Sequence, residues 1–492
     1  MKKWIEKFKN REAKLPKIWQ SLIVLLILIA ALAIGILVFD ADPHVPLLVG
    51  VAAAAIMALF VGYKWHEVES FMLKGIAKSL QSVVILLVIG VLVGVWIAAG
   101  IVPTMIYYGL AVLKPQIFFL AALIICSISS LATGSSWGTM GTMGVALLGI
   151  AHGLGMDIGI TAGAIISGAY FGDKLSPLSD TTNLAPSMAG TDVISHIKHM
   201  LPSTILVYII CIIFFTIMGF VNYKGGTSDL SQVELYMTTL KESFYISPVL
   251  FIPPIIVIVA IALKLPAIPG ITLGVVIGAI FGLIFQSDCS LGSIFSCGMD
   301  GYVATTSVDA INELLTNGGI NNMTYAITLI VIAMAFGGIM EETQLLGVIV
   351  NKLKKLAKTP GGLVTITEVT CIASNVIVPD QYISIIIPGR MYAEEYNNKN
   401  LSPSSLSNTL ESAGTVTSAL VPWNTCGAYI STNLGVNVIQ YGPWAVFNWL
   451  MPIVTIILAY FGLNLKDLDG KYLFKKRREE KKNKKEEEMM TN

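Results

Sequence analysis

The sequence predicts an all-α polytopic membrane protein: two inverted-topology repeats, about ten transmembrane crossings (two of them broken) and two re-entrant hairpins. Three observations carry this. The 492 residues are 54% hydrophobic and only 13% charged, with a mean hydropathy of +0.73, whereas a soluble chain carries about a quarter charged residues. Runs such as residues 21–39, SLIVLLILIAALAIGILVF, have about the 20 residues a helix needs to cross hydrocarbon. Polar interruptions of the later apolar segments recur at one fixed spacing in the two halves of the chain. No stretch alternates like a lipid-facing barrel strand, so the spans are read as helices.

The elements follow in order. Residues 1–17 are basic and amphipathic (WIEKFKNREAK over 4–14), suited to lying along a membrane surface. Spans are expected at 18–39, 44–63 and 81–102. The first lacks a small-residue cleavage site and is read as an anchor. A hairpin at 117–155, a broken crossing at 159–195 and a span at 201–221 complete a first membrane repeat, 18–221. An external linker, 222–245, leads to a second, inverted repeat over 246–465. Its spans are 246–264, 268–286, 324–341 and 446–465, with a hairpin at 361–393 and a broken crossing at 404–435. The stretch 345–358, LLGVIVNKLKKLAK, reads as a second interfacial helix. Residues 466–492 form a charged tail whose KKRREEKKNKKEEE run (475–488) cannot bury apolar surface and reads as solvated and disordered.

Basic residues orient the chain. With both termini cytoplasmic, 28 of the 32 Lys and Arg fall in the N-terminal segment, the inner loops or the tail. Only Lys114, Lys224 and Lys241 lie outside, and Lys174 falls within a broken span. The six cysteines show no CxxC or zinc spacing. Cys289 and Cys297 share a polar loop and are expected as free thiols.

The repeat has an offset of 245 (371 − 126) that superposes CSISSLATGSSWGTMGTMG (126–144) on CIASNVIVPDQYISIIIPG (371–389). It also superposes SGAYFGDKLSPLSDT (167–181) on SAGTVTSALVPWNTC (412–426). Identities are few, but the polar breaks coincide without a gap, and paired interrupted segments point to a transporter's binding site. A break frees backbone N–H and C=O groups, tolerated at membrane depth only where protein or water satisfies them.

The side chains at these breaks are nearly all oxygen donors: Thr133, Ser136, Asp173, Ser179, Asp180, Thr181, Thr182, Asn183, Asn375, Asp380, Glu411 and Asn424. Such donors suit a small hard cation, with Na+ leading, rather than a transition metal. A buried carboxylate disfavours its own charge, and a bound cation restores it, so protons and Na+ compete for one group. Structural readings stand beside the functional ones. Asp173 and Lys174 can neutralise each other, Asp180 can cap a helix, and Asp380 can be a turn residue. Glu411 sits in an apolar stretch, where carboxylates are rarely idle. Glu341, Glu342, His152, Asp157 and Arg390 read as solvated or interfacial. GSSWG (134–138) matches a nucleophile elbow, but that motif needs a strand–turn–helix context with a base and an acid. Neither a P-loop nor HExxH occurs. The chain is therefore expected not to be an enzyme.

The segment SGAYFGDKLSPLSDTTNLAP (167–186) resembles the signature of the NhaC family of bacterial sodium/proton antiporters. That family also contains malate/lactate antiporters. SSLATGSSWGTMG (129–141) and NTLESAGTVTSALVPWNTCG (408–427) are similar to the family's too, and the resemblance covers roughly 15–465. It implies a secondary transporter exchanging Na+ for H+ by alternating access in the bacterial cytoplasmic membrane. It also implies inverted repeats, a transport domain moving against a scaffold, and a homodimer. The signature's polar residues match at Asp173, Ser176, Ser179, Asp180, Thr181, Thr182 and Asn183. On this reading Asp173 and Asp180 are the Na+/proton carboxylates, and Thr133, Ser136, Asn375 and Asn424 are neutral ligands. Asp380 and Glu411 are secondary charges, and Lys174 is a gating or charge partner. Beyond the transported Na+ and H+ no cofactor is expected; lipids are partners and nucleic acid is not. The alternatives are an organic-acid antiporter of the malate/lactate type coupled to Na+ and H+, or an amino-acid antiporter. A Na+ channel is disfavoured.

Overall fold

The computed structural model describes residues 13–39, 41–222, 230–263, 265–354, 356–378 and 380–474. The expected surface segment 4–14 lies almost wholly outside these residues, as do the tail 475–492 and Lys224, Lys264 and Lys355. Among the described residues the chain is helical, with three isolated β-bridges and no strand. Among the described residues eight helices are long and apolar enough to cross a membrane, ten if two bent pairs each count as one span. The protein is therefore a multi-pass membrane protein.

Burial sorts the spans into periphery and centre. Only 28% of the apolar window is covered in Ile18–Gly35, Val193–Asn222 and Ile268–Phe285, so most of their surface faces outward as an apolar belt. In Leu80–Ala98 and Ile320–Glu342 the covered share is 61% and 67%, which places them inside the bundle. These two approach closely where Gly90 and Gly94 leave room for the backbone at Gly319.

Several elements differ from the sequence reading. The span expected over 81–102 ends at Ala98; Gly100, at φ 71°, turns the chain into a second helix, Ile101–Val112. The segment expected as an external linker holds the helix Leu230–Ser243, whose 233–243 part is bent by 90° from 248–261. The loop before the third span contains the amphipathic helix Trp65–Lys78. Its Lys74 and Lys78 pair with Glu342 (3.4 Å) and Glu341 (2.7 Å), so those two glutamates are neither buried nor unpaired. The interfacial helix expected over 345–358 appears as Leu345–Lys354.

Each expected hairpin is a pair of helices joined by a short turn: Phe118–Thr133 with 136–153, and Pro360–Ile377 with Gln381–Asn398. Pro115–Thr133 and Pro360–Ile377 are each also long and apolar enough to span. Each expected broken crossing is interrupted: Ile158–Leu175 with Asp180–Ala189, and 403–420 with Thr425–Leu434. Helix starts at Ser136, Ile158 and Asp180 recur at Gln381, Pro403 and Thr425, each 245 residues later. The opposed orientation of the two halves stays an expectation of the lysine count.

Candidate functional site

The first break is built by turn chemistry on both sides. Gly134 takes a left-handed conformation (φ 66°) and ends Phe118–Thr133, and Ser135 is extended and caps the next helix, its hydroxyl accepting from Gly138 N–H at 3.0 Å. Opposite, Ile158–Leu175 stops before Pro177, which cannot continue its ladder. Ser179 then caps Asp180–Ala189, its hydroxyl accepting from Thr182 N–H at 3.4 Å. The two breaks touch: a Cβ on Gly134 would lie 2.6 Å from Leu178 C and 2.8 Å from Ser179 N. The helices behind them are equally close, since a Cβ on Gly168 or Gly172 would lie 2.3 Å from Leu123 O or 2.4 Å from Ser127 O.

A cavity of about 450 Å³ opens where these ends meet. Thr133, Ser136, Asp173, Ser179, Asp180 and Thr181 all line it, with Gln81, Ser82, Gln381 and Tyr382 from neighbouring elements. Asp173 is buried and its Oδ2 accepts from the Ser136 hydroxyl at 2.6 Å and the Ser136 N–H at 3.2 Å. Asp180 is the first residue of its helix, and the cap is Ser179, so capping does not account for Asp180. Among the described residues the Thr133 hydroxyl has no hydrogen-bond partner. Among the described residues no Lys, Arg or His lines this cavity, whereas two aspartates do. The site therefore presents negative charge and oxygen donors.

The other sequence candidates serve differently. Thr182 gives its hydroxyl to the carbonyls of Asp173 and Lys174, both at 3.1 Å. Asn183 donates to the carbonyls of Pro177 and Ser179. These two side chains satisfy the backbone the break set free. Asp380 caps Gln381–Asn398 through the N–H groups of Tyr382 and Ile383, so the turn-residue reading describes its geometry. Asn375 donates to Gly414 O and Thr417 and accepts from Ser384 and Asn424. In the second half, therefore, amides tie the hairpin to the broken helix, and neither Asn375 nor Asn424 lines the cavity.

Lys174 does not pair with Asp173. Its amine is fully buried, donates to the Ser412 hydroxyl at 3.2 Å, and lies within electrostatic reach of Glu411 and Glu368. Glu411 accepts from the Thr181 hydroxyl at 3.1 Å, which links it to the cavity wall. Glu368, which the sequence reading passed over, is fully buried on Pro360–Ile377. Its signal was present: a lone acid inside the apolar run TITEVTCIAS (365–374).

A second cavity, about 920 Å³, lies at the far ends of the same helices, lined by Val145, Leu148, His152, Ile158 and Asn433 among others. Between the two, Trp137 stacks on Tyr429 with ring centroids 4.4 Å apart and planes 4° from parallel. The Tyr429 hydroxyl donates to Trp137 O at 2.5 Å. The pair joins the two helices whose far ends line the second cavity. Ser136 of the GSSWG motif bonds to Asp173, as a helix-terminal residue rather than a nucleophile beside a histidine.

Comparison with known proteins bears on this arrangement. A model described as the Na+/H+ antiporter family matches residues 168–463, more than half of the chain. The chain belongs to the Na+/H+ antiporter family. The matched region includes the broken helix with Asp173 and Asp180 and all of the second half's hairpin and break. Similar members include the Na(+)/H(+) antiporter NhaC of Alkalihalophilus pseudofirmus, 34% identical, with 90% of this chain and 96% of that one covered. The malate-2H(+)/Na(+)-lactate antiporter of Bacillus subtilis is 37% identical over 92% of this chain and 96% of its own. The arginine/ornithine antiporter ArcD of Halobacterium salinarum is 34% identical over 92% and 93%. All three are described as antiporters, and their cargoes differ.

Proposed function

We propose that this antiporter exchanges Na+ for H+ across the bacterial cytoplasmic membrane by alternating access, as a homodimer with both termini inside. The observation that carries the reading is the cavity's charge: Asp173 and Asp180 line it with the hydroxyls of Ser82, Thr133, Ser135, Ser136, Ser179 and Thr181, and among the described residues no cationic side chain does. Carboxylates and hydroxyls are donors that hard cations take. In a water-poor break the same carboxylates hold a proton when the cation is absent, so either Na+ or H+ occupies the site. If only the loaded forms change access, exchange follows. The function belongs to transport rather than covalent chemistry, and the transported ions are cargo.

Within the site, Asp173 is the positioned carboxylate, oriented by Ser136, and Asp180 is the more accessible one facing the cavity. Thr133, Ser136 and Thr181 supply neutral oxygens from the wall. Behind the wall, Lys174 presents a positive charge to the second half, bonded to Ser412 and near Glu411 and Glu368.

The test is ΔpH-driven uptake of radiolabelled Na+ into proteoliposomes. Asp180→Asn and Asp173→Asn are expected to abolish it while the purified proteins keep their helical content; wild-type exchange by both would sink the assignment.

A second reading has its own support. A cavity of about 450 Å³ exceeds what one ion needs, a liquid water taking about 30 Å³, and relatives carry organic cargo. A dicarboxylate would require cationic partners, and the described residues of this wall supply none. Competition of malate, lactate, arginine and ornithine against Na+ in the same vesicles separates these readings.

A further inference from the structure

The buried charge behind the cavity wall is unbalanced. Lys174 is the one Lys or Arg there among the described residues, with the buried imidazole of His196 in its field, and two carboxyl groups, Glu411 and Glu368, lie within its electrostatic reach. One oxygen of Glu411 has a donor in Thr181, and its other oxygen has none. Glu368 has none: neither of its oxygens has a hydrogen-bond partner, and the residue is fully buried. An anion in that position would be desolvated without compensation, which costs enough that a carboxyl group neutralises instead. Lys174 bonds to neither acid, and its one positive charge cannot answer a charge on both Glu411 and Glu368.

We propose that Glu368 is a second proton-binding site, separate from the cation cavity and coupled to it through Lys174. This rests on the Na+/H+ reading and deepens it. The proton comes from solvent and returns to it. The sign of the coupling follows from electrostatics. Na+ in the cavity adds positive charge beside Asp173 and Thr181, and the Thr181 hydroxyl can face the cation with its oxygen while its proton stays on Glu411. The added charge raises the positive potential behind the wall and favours a negative charge on Glu368. Cation entry therefore expels the Glu368 proton, and cation departure readmits one, which is the order exchange requires.

Other groups facing Glu368 do not supply the missing charge. Tyr396, from the other arm of the hairpin, spends its hydroxyl on Thr367 and Thr409. Tyr392 is bonded to Thr370. Cys371, one turn along the same helix, is a buried neutral thiol.

The test compares wild type with Glu368→Gln in proteoliposomes, measuring Na+/Na+ exchange at equal pH and ΔpH-driven Na+ uptake. The ratio of the first to the second is expected to rise at least tenfold in the variant; an unchanged ratio overturns the proposal. Infrared difference spectroscopy supplies a readout that a merely structural residue would not move. The wild type should show a carboxylic C=O band lost on Na+ addition or at high pH, absent from E368Q and shifted in Glu368→Asp should E368Q fail to assemble. A wild-type pH difference spectrum without that band overturns the site. If wild type moved no Na+ at all, the Na+/H+ reading would fall, while the pH-dependent band would still judge Glu368.

Discussion

Replacing Gly172 with Ala perturbs the site without touching a polar atom. Gly172 precedes Asp173 on the helix that packs on Phe118–Thr133, and its new Cβ would stand 2.4 Å from Ser127 O, 2.6 Å from Leu131 N and 2.8 Å from the Ser130 Cβ. Two of these are backbone atoms that no rotamer change can withdraw. Ordinary contact begins at 3.4 Å, so the helices must part by about 1 Å, at a cost of about 1–3 kcal/mol for overpacking. The same displacement takes the 2.6 Å Ser136–Asp173 bond past the distance at which a hydroxyl bond holds. A hydrogen bond to a charged group is worth about 1.5–3 kcal/mol, and 1.4 kcal/mol is tenfold in affinity. The half-saturation for Na+ is therefore expected to rise about tenfold or more in solid-supported-membrane current measurements, with a lowered unfolding temperature in detergent. Gly442→Ala is the control, because its Cβ would meet nothing closer than 3.8 Å. Wild-type half-saturation and stability in G172A would refute the claim that this contact sets the carboxylate's position.

Two further outcomes follow from the same geometry. Asn375→Ala removes an amide engaged at both ends by the second broken helix and Ser384, so thermal stability should fall by roughly 1–3 kcal/mol, while Na+ half-saturation changes far less than in G172A. All six cysteines are free, Cys289 and Cys297 included, so the unfolded, unreduced protein should take up six equivalents of alkylating reagent, and a reducing agent should leave exchange unaltered.

The breaks were legible because they violate the surrounding chemistry: SPLSDTTN and VPWNT interrupt apolar runs, and their common offset survives as matching helix starts at Asp180 and Thr425. The grouping of Thr133, Ser136, Asp173 and Asp180 followed from the expectation that hairpin tips meet broken helices. What stayed hidden is direction. Spacing along a chain cannot say that Thr182 and Asn183 turn back onto carbonyls, or that Lys174 faces Ser412 rather than its neighbour Asp173. Asp380 and Ser135 occupy equivalent capping positions, and only the bonds reveal that a carboxylate there does a serine's work. Glu368 was overlooked for a different reason. One acid in a run of ordinary span hydropathy leaves no break behind, and its lack of partners exists only in three dimensions.

The aromatic pair between the two cavities also has an electrical meaning. Along the helix over 136–153, Trp137 lines one cavity and Val145 is the first residue of the other, eight residues or about 12 Å apart at 1.5 Å each. Hydrocarbon is about 30 Å thick, so if water fills both cavities, most of the membrane potential falls across less than half that depth. Each elementary charge carried through it exchanges about 2.3 kcal/mol per 100 mV. Trp137 and Tyr429 thus stand where the field is steepest, and the voltage sensitivity of transport is set by how thin that partition is.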